Sequence, residues 1–515
     1  MVSSERRIRA SSFPPWRNPF GRDDNQRENI ASKPADPINR VVLYCICRFL
    51  STTLPYDMIR KLGVSLSLFL VLTSVLATAQ YTDRKAMDDL GGPKEFAARR
   101  AELAAKLKTG YVLLFAKTQE PPAAHYREDN DFYYYTGLSD PGAIMLMDVA
   151  TQRVTIFEPQ QSPREIQVYG ANLLGMPKDQ QKELGYPGVA PLQALDSGLA
   201  FLFGNGVDNT LWVRLGFADK PDGARFETGR DYAAEYNNPY GQNLPGDRDA
   251  LVKLRERYPA ATFRDITGTI DEMRNIKRPG EIEVLRKVGR ISALGDMQAI
   301  EIAHPNMYEY QIEAEAEYVF RNAGAQGLAY PAIVGSGVHA NTWHYFFNRD
   351  QIQPGSIVVF DFAADLDHMT MDITRTFNID GKFTPEQAKA YNIDLEGQKA
   401  VIAMLKVGNT YEQAADAGKA VFEKGGVGSQ WMGFPGHFVG LATHDVMLPK
   451  GPIKAGQVVT VEPILEYPDK HWHFRAEDTI LITENGPEIL SSAIPKEMTD
   501  VEKLVGSQPA PQVVK

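Results

Sequence analysis

The sequence VVFDFAADLDHMTMDITRTF, residues 358–377, places two aspartates, Asp361 and Asp372, on either side of a predicted turn. The apolar residues 357–360 predict a buried strand that leads into Asp361, and the turn is expected near 364–367. An odd separation within one straight strand would put the two carboxylates on opposite faces, so a turn or a bulge must bring them together. Two converging carboxylates repel each other unless a cation lies between them. The alternative is that both are solvated aspartates of a surface turn.

Three further side chains have the chemistry of metal ligands and lie in short stretches typical of strands or turns. His437 lies in GFPGHFVGLATHD, Glu462 follows the apolar stretch VVTV, and Glu477 lies in FRAEDTILIT. A single histidine is more often structural than a ligand, but a glutamate buried by a strand needs a partner, a proton or a metal. Together with the two aspartates they form a hard, oxygen-rich set. Such a set suits one or two divalent ions of the manganese kind better than zinc bound by thiolates, and it indicates metal-assisted hydrolysis.

The size and charge of the chain narrow the class of protein. The chain has 515 residues, 43% of them apolar, so it is long enough for two or more domains with substantial cores. Its formal net charge of -10 argues against nucleic acid as a partner and against an anionic membrane surface. The only two cysteines, Cys45 and Cys47, precede Met58. The chain after Met58 is therefore expected to have neither disulfides nor thiol catalysis.

Residues 58–79 have the parts of a secretory signal peptide. A basic start leads into the apolar run 62–76, and the small residues 77–79 offer a cleavage site. The run is short for a membrane span of about 20 residues, and an uncleaved membrane anchor is the alternative. We expect translation to begin at Met58, with residues 1–57 a start-site artefact or a disordered stretch. The mature chain is then secreted or periplasmic, without stable membrane insertion.

Two domains and a flexible tail are expected after the signal peptide. The first, an α/β domain, covers residues 80–268, the second covers 269–505, and the tail covers 506–515. Within the first domain the pattern of apolar residues predicts a helix over 96–107 and strands over 111–115 and 143–147. This part also contains an aromatic segment, REDNDFYYYTGLSDPG, which we expect to pack in the core, with contact to substrate as the alternative. A Gly/Pro/Asn-rich stretch over 239–247 predicts a surface loop.

The second domain shows helix signals between strand-rich blocks. Apolar residues recur at helical spacing from Ile282 to Leu294. Thr384 and Thr410 each precede a glutamine by three residues, which is the pattern of a helix cap. The expected fold class is therefore α+β, with helices covering a curved antiparallel sheet.

Five segments of the second domain, in their order along the chain, resemble the proline-specific aminopeptidases. They are YPAIVGSGVHANTWHY, VVFDFAADLDHMTMDITRTF, GHFVGLATHD, TVEP and FRAEDT. The family is that of Xaa-Pro aminopeptidase, also called aminopeptidase P, with prolidase as a close relative. The segment REDNDFYYYTGL resembles the N-terminal domain of the same proteins. The resemblance implies a pita-bread catalytic domain behind a creatinase-like N-terminal domain.

The resemblance also implies a set of roles for the candidate ligands. Two divalent ions would be bound, most often Mn²⁺, with Zn²⁺ or Co²⁺ as alternatives, and a hydroxide would bridge them. Asp361 would bind one ion, while Asp372 and Glu477 would bridge both. His437 and Glu462 would complete the shell of the other ion. The bridging hydroxide would attack the scissile carbonyl, and Glu462 would pass a proton to the leaving proline nitrogen.

Three residues next to the ligands have expected supporting roles, two from the resemblance and one, Arg475, from its place beside Glu477 in the sequence. His344, in WHY, and His444 match histidines of the family that orient the substrate and stabilise the tetrahedral intermediate. Arg475 would hold a ligating carboxylate in place.

The function implied by the resemblance is a secreted aminopeptidase that releases the residue ahead of an N-terminal proline. Its partners would be peptides with proline at the second position, and it would form a homodimer or a homotetramer. The alternatives are a prolidase-type dipeptidase, a creatinase-like hydrolase without metal, and a non-catalytic peptide-binding protein on the same scaffold. The last two lose metal ligands, whereas all five ligand positions are filled here.

The chain departs from the pattern of the family in two places. The family has a histidine four residues before the metal-binding histidine, and Gly433 occupies that position here. The family sequence Glu-Pro-Gly-x-Tyr becomes EPILEY over residues 462–467, without the glycine and with the tyrosine one place late. Both departures lie near the expected substrate pocket, so the hydrolytic chemistry is the firmer expectation and strict proline selectivity the weaker one.

Overall fold

The computed structural model describes residues 83–118, 126–204, 208–237, 246–446 and 451–511. The predicted signal peptide, the stretch upstream of it and most of the loop predicted over 239–247 lie outside these ranges. Within them, no helix combines the length and the apolar character that crossing a bilayer requires.

A six-stranded mixed sheet organises the N-terminal half, in the order β4-β3-β2-β1-β5-β6. Its outer pairs β3–β4, β1–β5 and β5–β6 are parallel, and its central pairs β1–β2 and β2–β3 are antiparallel. The strands are β1 Tyr111–Phe115, β2 Ile144–Asp148, β3 Val154–Glu158, β4 Val189–Pro191, β5 Thr210–Val213 and β6 Thr262–Asp265. The helices are α1 Arg84–Asp89, α2 Gly92–Leu107, α3 Asn130–Thr136, α4 Pro163–Tyr169, α5 Lys178–Glu183, α6 Ala194–Gly204, α7 Arg225–Asn237, α8 Gly246–Arg257 and α9 Thr267–Asn275.

The aromatic segment of the N-terminal half forms the short helix α3, and every residue of this helix is buried. The Asp129 side chain accepts hydrogen bonds from two backbone amides of the first turn, which caps the helix. Tyr134 donates its hydroxyl proton to a backbone carbonyl of α9, and Tyr135 contacts Met273 there. These tyrosines are therefore part of the core, as the first of the two interpretations predicts.

The C-terminal half contains short sheets and long helices. The order of strands is β12-β9-β8, β11-β10-β7, β13-β16-β17 and β14-β15, and all these pairs are antiparallel. The strands are β7 Gly327–Leu328, β8 Ile333–Ser336, β9 Ile357–Asp361, β10 Ala364–Leu366, β11 Met369–Thr370, β12 Thr374–Asn378, β13 Val458–Val461, β14 Ile464–Tyr467, β15 Trp472–Arg475, β16 Asp478–Thr483 and β17 Gly486–Ile489. The helices are α10 Pro279–Glu301, α11 Glu309–Asn322, α12 Pro385–Met404, α13 Tyr411–Lys424 and α14 Met498–Leu504.

Helix starts in this half follow the predicted capping residues. Thr384 and Thr410 accept hydrogen bonds from the backbone of Gln387 and Gln413, and each glutamine side chain bonds back to its threonine. A hydrophobic cluster extends across both halves and includes Phe132 from α3 as well as Val284 from α10. The two halves therefore share a core.

The hairpin that contains the two aspartates has its turn slightly later than the sequence suggests. Residues 364–366 form strand β10, which pairs with β11, and the turn is made by Asp367 and His368. Both turn residues have positive φ angles of 52° and 65°, which is the conformation of a tight type I′ turn. Beyond the hairpin, Asp361 and Thr374 lie opposite each other in the β9–β12 pair.

The beginning of the predicted tail is attached to the domain. The backbone amides of Gly506 and Gln508 donate hydrogen bonds to the carbonyls of Ile300 and Glu301 at the end of α10. Residues 512–515 lie outside the described ranges.

Candidate metal centre

The structure brings all five predicted ligands together at the ends of strands. Asp361 ends β9, Asp372 precedes β12, Glu462 follows β13, and Glu477 lies between β15 and β16. His437 comes from the loop after α13, and its backbone amide donates to Thr460 Oγ1 of β13. Strand pairing thus fixes the backbone of most of the set before any ion binds.

Ligand atoms of the set fall into overlapping groups of three, each with its atoms within 4.8 Å of one another. Asp361, Asp372 and Glu477 form one group, and His437, Glu462 and Glu477 form another. His437 Nε2 lies 3.3 Å from Asp372 Oδ2 and 3.3 Å from Glu462 Oε1. Asp372 and Glu477 lie between the two ends of the cluster, where ligands shared by two ions would have to be.

Asp361 is held by two groups at once. Its Oδ1 accepts a hydrogen bond of 2.5 Å from the Tyr330 hydroxyl, and its Oδ2 forms a buried ion pair with Arg475. The Arg475 side chain also donates to Thr374 Oγ1 over 3.1 Å. The sequence predicts that Arg475 holds one of the ligating carboxylates, and the structure shows that this carboxylate is Asp361. Tyr330 lies in a segment that resembles the family, but nothing in its local sequence marks it as a partner of Asp361.

The carboxylates of the cluster carry more negative charge than the surrounding side chains neutralise. Burial and the neighbouring Asp372 raise the pKa of Asp361 to about 7, although Arg475 and the Tyr330 hydroxyl oppose the shift. Burial and the charges of Asp372, Glu462 and Asp361 hold the pKa of Glu477 well above its usual value. Burial disfavours the charged form of His437, but its hydrogen bonds to Asp372 and Glu462 outweigh this and raise its pKa well above the usual value. A divalent cation would relieve this repulsion and displace the protons.

One buried ligand atom has no partner from the protein. Glu477 Oε2 accepts a hydrogen bond of 2.6 Å from Thr374 Oγ1, but Oε1 of the same carboxylate has no hydrogen-bond partner among the described residues. A buried carboxylate oxygen without a partner is costly. The residues present therefore fit a divalent metal centre of oxygen and imidazole ligands.

The two predicted catalytic histidines lie at the edge of the cluster, in different environments. His444 stands edge-on to His437, with ring centroids 4.2 Å apart. His344 is further out, with its ring centroid 6.5 Å from that of His444. Burial and the nearby charges of Arg475 and His444 lower the pKa of His344, which keeps its ring neutral near pH 7.

A residue of the N-terminal half reaches this site, and the sequence analysis missed it. The Glu227 carboxylate, from the first turn of α7, lies 2.9 and 3.0 Å from His444 Nδ1. The two residues are 217 positions apart. No local sequence signal around Glu227 could have identified this contact.

An apolar pocket of about 330 Å³ opens beside the cluster, and both departures from the family pattern lie in its wall. Aromatic and aliphatic side chains form much of the wall, including Trp343, Trp431, Met432, Phe434 and Ile464. Gly433 has a φ angle of 102°, and a Cβ atom added there would meet nothing within 4 Å. The pocket is therefore open where the family has a histidine.

Glu466, in the altered segment after Glu462, connects two residues of this wall, Trp343 and Gln430, with Asn341 and His473 behind it. Its Oε1 accepts hydrogen bonds from His473 Nδ1 at 3.0 Å and from the Asn341 and Trp343 side chains at 3.2 Å. Its backbone amide donates to Gln430 Oε1 over 2.8 Å. Burial opposes ionisation of Glu466, but the hydrogen bond from His473 outweighs it and lowers the pKa. In this chain Glu466 thus holds the loops beside the altered segment together.

Comparison with protein families gives two matches that together cover most of the described chain. The model of metallopeptidase family M24 matches residues 283–484. The model of the aminopeptidase P N-terminal domain matches residues 96–212.

Individual relatives agree with the family matches. Xaa-Pro aminopeptidase of Escherichia coli is 28% identical over 461 residues, which cover 80% of this chain and 97% of that protein. Xaa-Pro dipeptidase of Pyrococcus furiosus is 32% identical over 245 residues, which cover 47% of this chain and 70% of that protein.

Solved structures show the same architecture. Proline aminopeptidase P II from Yersinia pestis superposes with a TM-score of 0.68 at 26% identity, over 80% of this chain and 99% of that one. E. coli aminopeptidase P with the inhibitor Pro-Leu superposes with a TM-score of 0.68 at 25% identity, over 80% and 98% of the two chains. The predicted fold class is confirmed. The chain belongs to metallopeptidase family M24, and is a hydrolase with a pita-bread catalytic domain behind an N-terminal domain of the aminopeptidase P type.

Proposed function

We propose that the chain is an exported aminopeptidase that uses two divalent ions, most often Mn²⁺, to hydrolyse the bond between an N-terminal residue and a following proline. The observation that carries the proposal is the cluster of four carboxylates and His437. The cluster is crowded, three of its carboxylates are buried, and among the described residues only Arg475 and His437 offset its negative charge.

Each ligand has a place in the proposed centre. Asp361 would hold one ion, His437 and Glu462 would hold the other, and Asp372 and Glu477 would be shared. Ions bound there would supply a Lewis acid and lower the pKa of water, so that hydroxide would be available as a nucleophile near neutral pH.

The remaining chemistry belongs to side chains of the chain itself. Glu462 would take a proton from the attacking water and pass it to the leaving nitrogen. Burial opposes ionisation of Glu462, but its hydrogen bond with His437 outweighs burial and lowers its pKa. His344 and His444 orient the substrate and donate hydrogen bonds to the oxygen that becomes negative in the tetrahedral intermediate.

Proline at the second position is supported by the relatives named as Xaa-Pro aminopeptidases. The apolar pocket between Trp343 and Ile464 has the chemistry that a pyrrolidine ring requires. Because the pocket is open at Gly433, we expect weaker discrimination between proline and other apolar residues than a narrower pocket would give.

An Xaa-Pro dipeptidase is the second candidate function. It is favoured by the P. furiosus relative of that name, which is 32% identical to this chain. The two activities share the metal centre and differ in the length of peptide that is cleaved.

A substrate panel distinguishes these functions. Protein starting at residue 80 is stripped of metal, resupplied with Mn²⁺, and assayed on Xaa-Pro dipeptides, Xaa-Pro-Yaa tripeptides and Xaa-Ala controls. We expect metal-dependent cleavage of the tripeptides. Cleavage of dipeptides alone would assign the chain to the dipeptidases, and no metal-dependent cleavage of any peptide would favour a binding protein.

Export and assembly are tested separately. The signal peptide proposed at residues 58–79 predicts a mature N-terminus at Gln80. Sequencing of the protein purified from its native source would contradict this if peptides from residues 1–57 were found. Light scattering on the mature protein measures whether it forms the proposed homodimer or homotetramer.

A further inference from the structure

Glu227 occupies a position that neither family match covers, between residues 212 and 283. Its side chain nevertheless enters the polar cleft above the metal centre, a space of about 240 Å³ lined by Asp361, His437, His444 and Glu462. The N-terminal half therefore contributes a charged group to a site whose predicted residues all come from the C-terminal half.

Hydrogen bonds fix both the position of the Glu227 carboxylate and the proton of the His444 ring that faces it. One Glu227 oxygen also accepts a hydrogen bond of 2.7 Å from the backbone amide of Ala224, which fixes the carboxylate at the start of α7. Burial opposes ionisation of Glu227, but the hydrogen bond from His444 outweighs it and lowers the pKa to about 2. An ionised carboxylate accepts only, so His444 Nδ1 must carry the donated proton. The other ring nitrogen, Nε2, is then the one available to the reaction.

The segments that carry the two residues are fixed by one buried network of ion pairs. Arg225, two residues before Glu227, binds Asp131 over 2.7 Å and Asp271 over 2.8 Å. Asp445, next to His444, binds Arg274 over 2.5 Å and Lys277 over 2.8 Å.

Asp131 connects the two ends of this network. It also binds Arg274 over 2.7 Å, so a chain of ion pairs runs from the start of α7 to the residue after His444. The positions of both partners are thus set independently of the contact that they make with each other.

We propose that Glu227 is a positioning residue of the active site, which sets the orientation and tautomer of His444 from the N-terminal domain. A carboxylate behind a histidine is a known way to fix the ring and its proton so that the other nitrogen faces the chemistry. The inference rests on the proposed function, because it assigns a role within that same reaction.

The expected effect is on turnover rather than on folding or metal content. Partners of this kind change activity by about 10–100-fold when removed. We expect Glu227→Ala to lower kcat by that amount with little change in KM. Glu227→Gln keeps an acceptor without the charge, and should lose less. Glu256→Ala changes an exposed glutamate of α8, in the same half of the chain, and is the control.

A double-mutant cycle with His444→Ala separates positioning from a general structural role. If Glu227 acts through His444, Glu227→Ala has little further effect once His444 is absent. Activity is measured on an Xaa-Pro-Yaa tripeptide with Mn²⁺, together with bound metal per chain and the melting temperature.

Three results would overturn the proposal: wild-type kcat in Glu227→Ala, full additivity with His444→Ala, or loss of metal or of folding as the cause of the lower activity. Inactive wild-type protein would instead contradict the proposed function, so the two failures are distinguishable.

Discussion

The molecule contains two buried clusters of acidic side chains that are neutralised in opposite ways. In the ion-pair network that links the two halves, five carboxylates contact four cationic side chains: Asp129, Asp131, Asp219, Asp271 and Asp445 with Arg214, Arg225, Arg274 and Lys277. In the metal cluster, four carboxylates share one arginine and one histidine among the described residues.

The consequence is visible in two carboxylates that are equally buried. Burial disfavours the ionised form of Asp131, but Arg225, Arg214 and Arg274 outweigh it and hold its pKa well below 3.8. Burial and three neighbouring carboxylates hold the pKa of Glu477 well above 4.5. The first cluster has nearly as many cationic side chains as carboxylates, which indicates a structural role. The second has an excess of negative charge that bound cations would balance.

The largest effect is expected in the metal cluster. Asp372→Ala removes a ligand shared by both ions, so we expect loss of metal-dependent activity and of bound metal. Activity assays and elemental analysis measure both quantities. Asp380→Ala, an exposed aspartate just after β12, is the control and should behave as wild type. Full activity with two ions bound in Asp372→Ala would refute the assignment of the cluster.

The second prediction concerns stability and belongs to the ion-pair network. Asp131→Asn leaves Arg214, Arg225 and Arg274 without a central partner, and breaking a buried pair costs about 3–5 kcal/mol of unfolding free energy. Asp196→Asn breaks an exposed pair with Arg257, which contributes about 0–1 kcal/mol. Denaturant unfolding of both variants compares the two values. Equal losses would contradict the structural role of the network.

The stability difference between wild type and Asp131→Asn should change with pH in a defined direction. The folded-state pKa of Asp131 is lowered, so its contribution is complete above the unfolded value of 3.8 and is lost as pH falls through the lower folded value. The difference in unfolding free energy between wild type and Asp131→Asn should therefore be constant above about pH 5 and shrink below 3.8. If this difference in unfolding free energy grew as the pH fell, the explanation would be excluded.

A smaller effect is expected where a carboxylate is balanced by hydrogen bonds rather than by ions. Glu466→Ala removes the acceptor of the hydrogen bonds from Trp343, which lines the pocket, and from Asn341 beside it. A loss of about 1 kcal/mol corresponds to a rise of roughly fivefold in KM for Xaa-Pro peptides, with kcat nearly unchanged. Glu484→Ala, in the exposed β16–β17 turn, is the control. A fall in kcat instead would place Glu466 closer to the chemistry than the structure does.

Local patterns in the sequence predicted local structure well. The caps at Thr384 and Thr410 and the strands before Asp361 and Glu462 depend on neighbouring residues, and the structure contains them. The prediction that the five ligands come together depended on their chemistry and on the match of their order to the family segments. The turn at Asp367 and His368 was missed by a residue or two because it uses positive φ angles without a glycine.

Contacts between distant segments could not be predicted. Asp131 and Arg274 are 143 positions apart, and Glu227 is separated from His444 by 217. Each partner alone has the sequence signature of an ordinary charged surface residue. Their roles become visible only when the two halves are packed together.

The most direct test of the difference between the two clusters is the number of ions bound per chain. Protein starting at residue 80 is stripped with chelator, equilibrated with Mn²⁺, and measured by elemental analysis and calorimetric titration. We predict that the wild-type chain binds two ions and releases protons as they bind. Asp372→Ala should lose bound ions, whereas folded Asp131→Asn protein should keep them. Wild-type protein that binds no Mn²⁺ at the cluster would contradict the account.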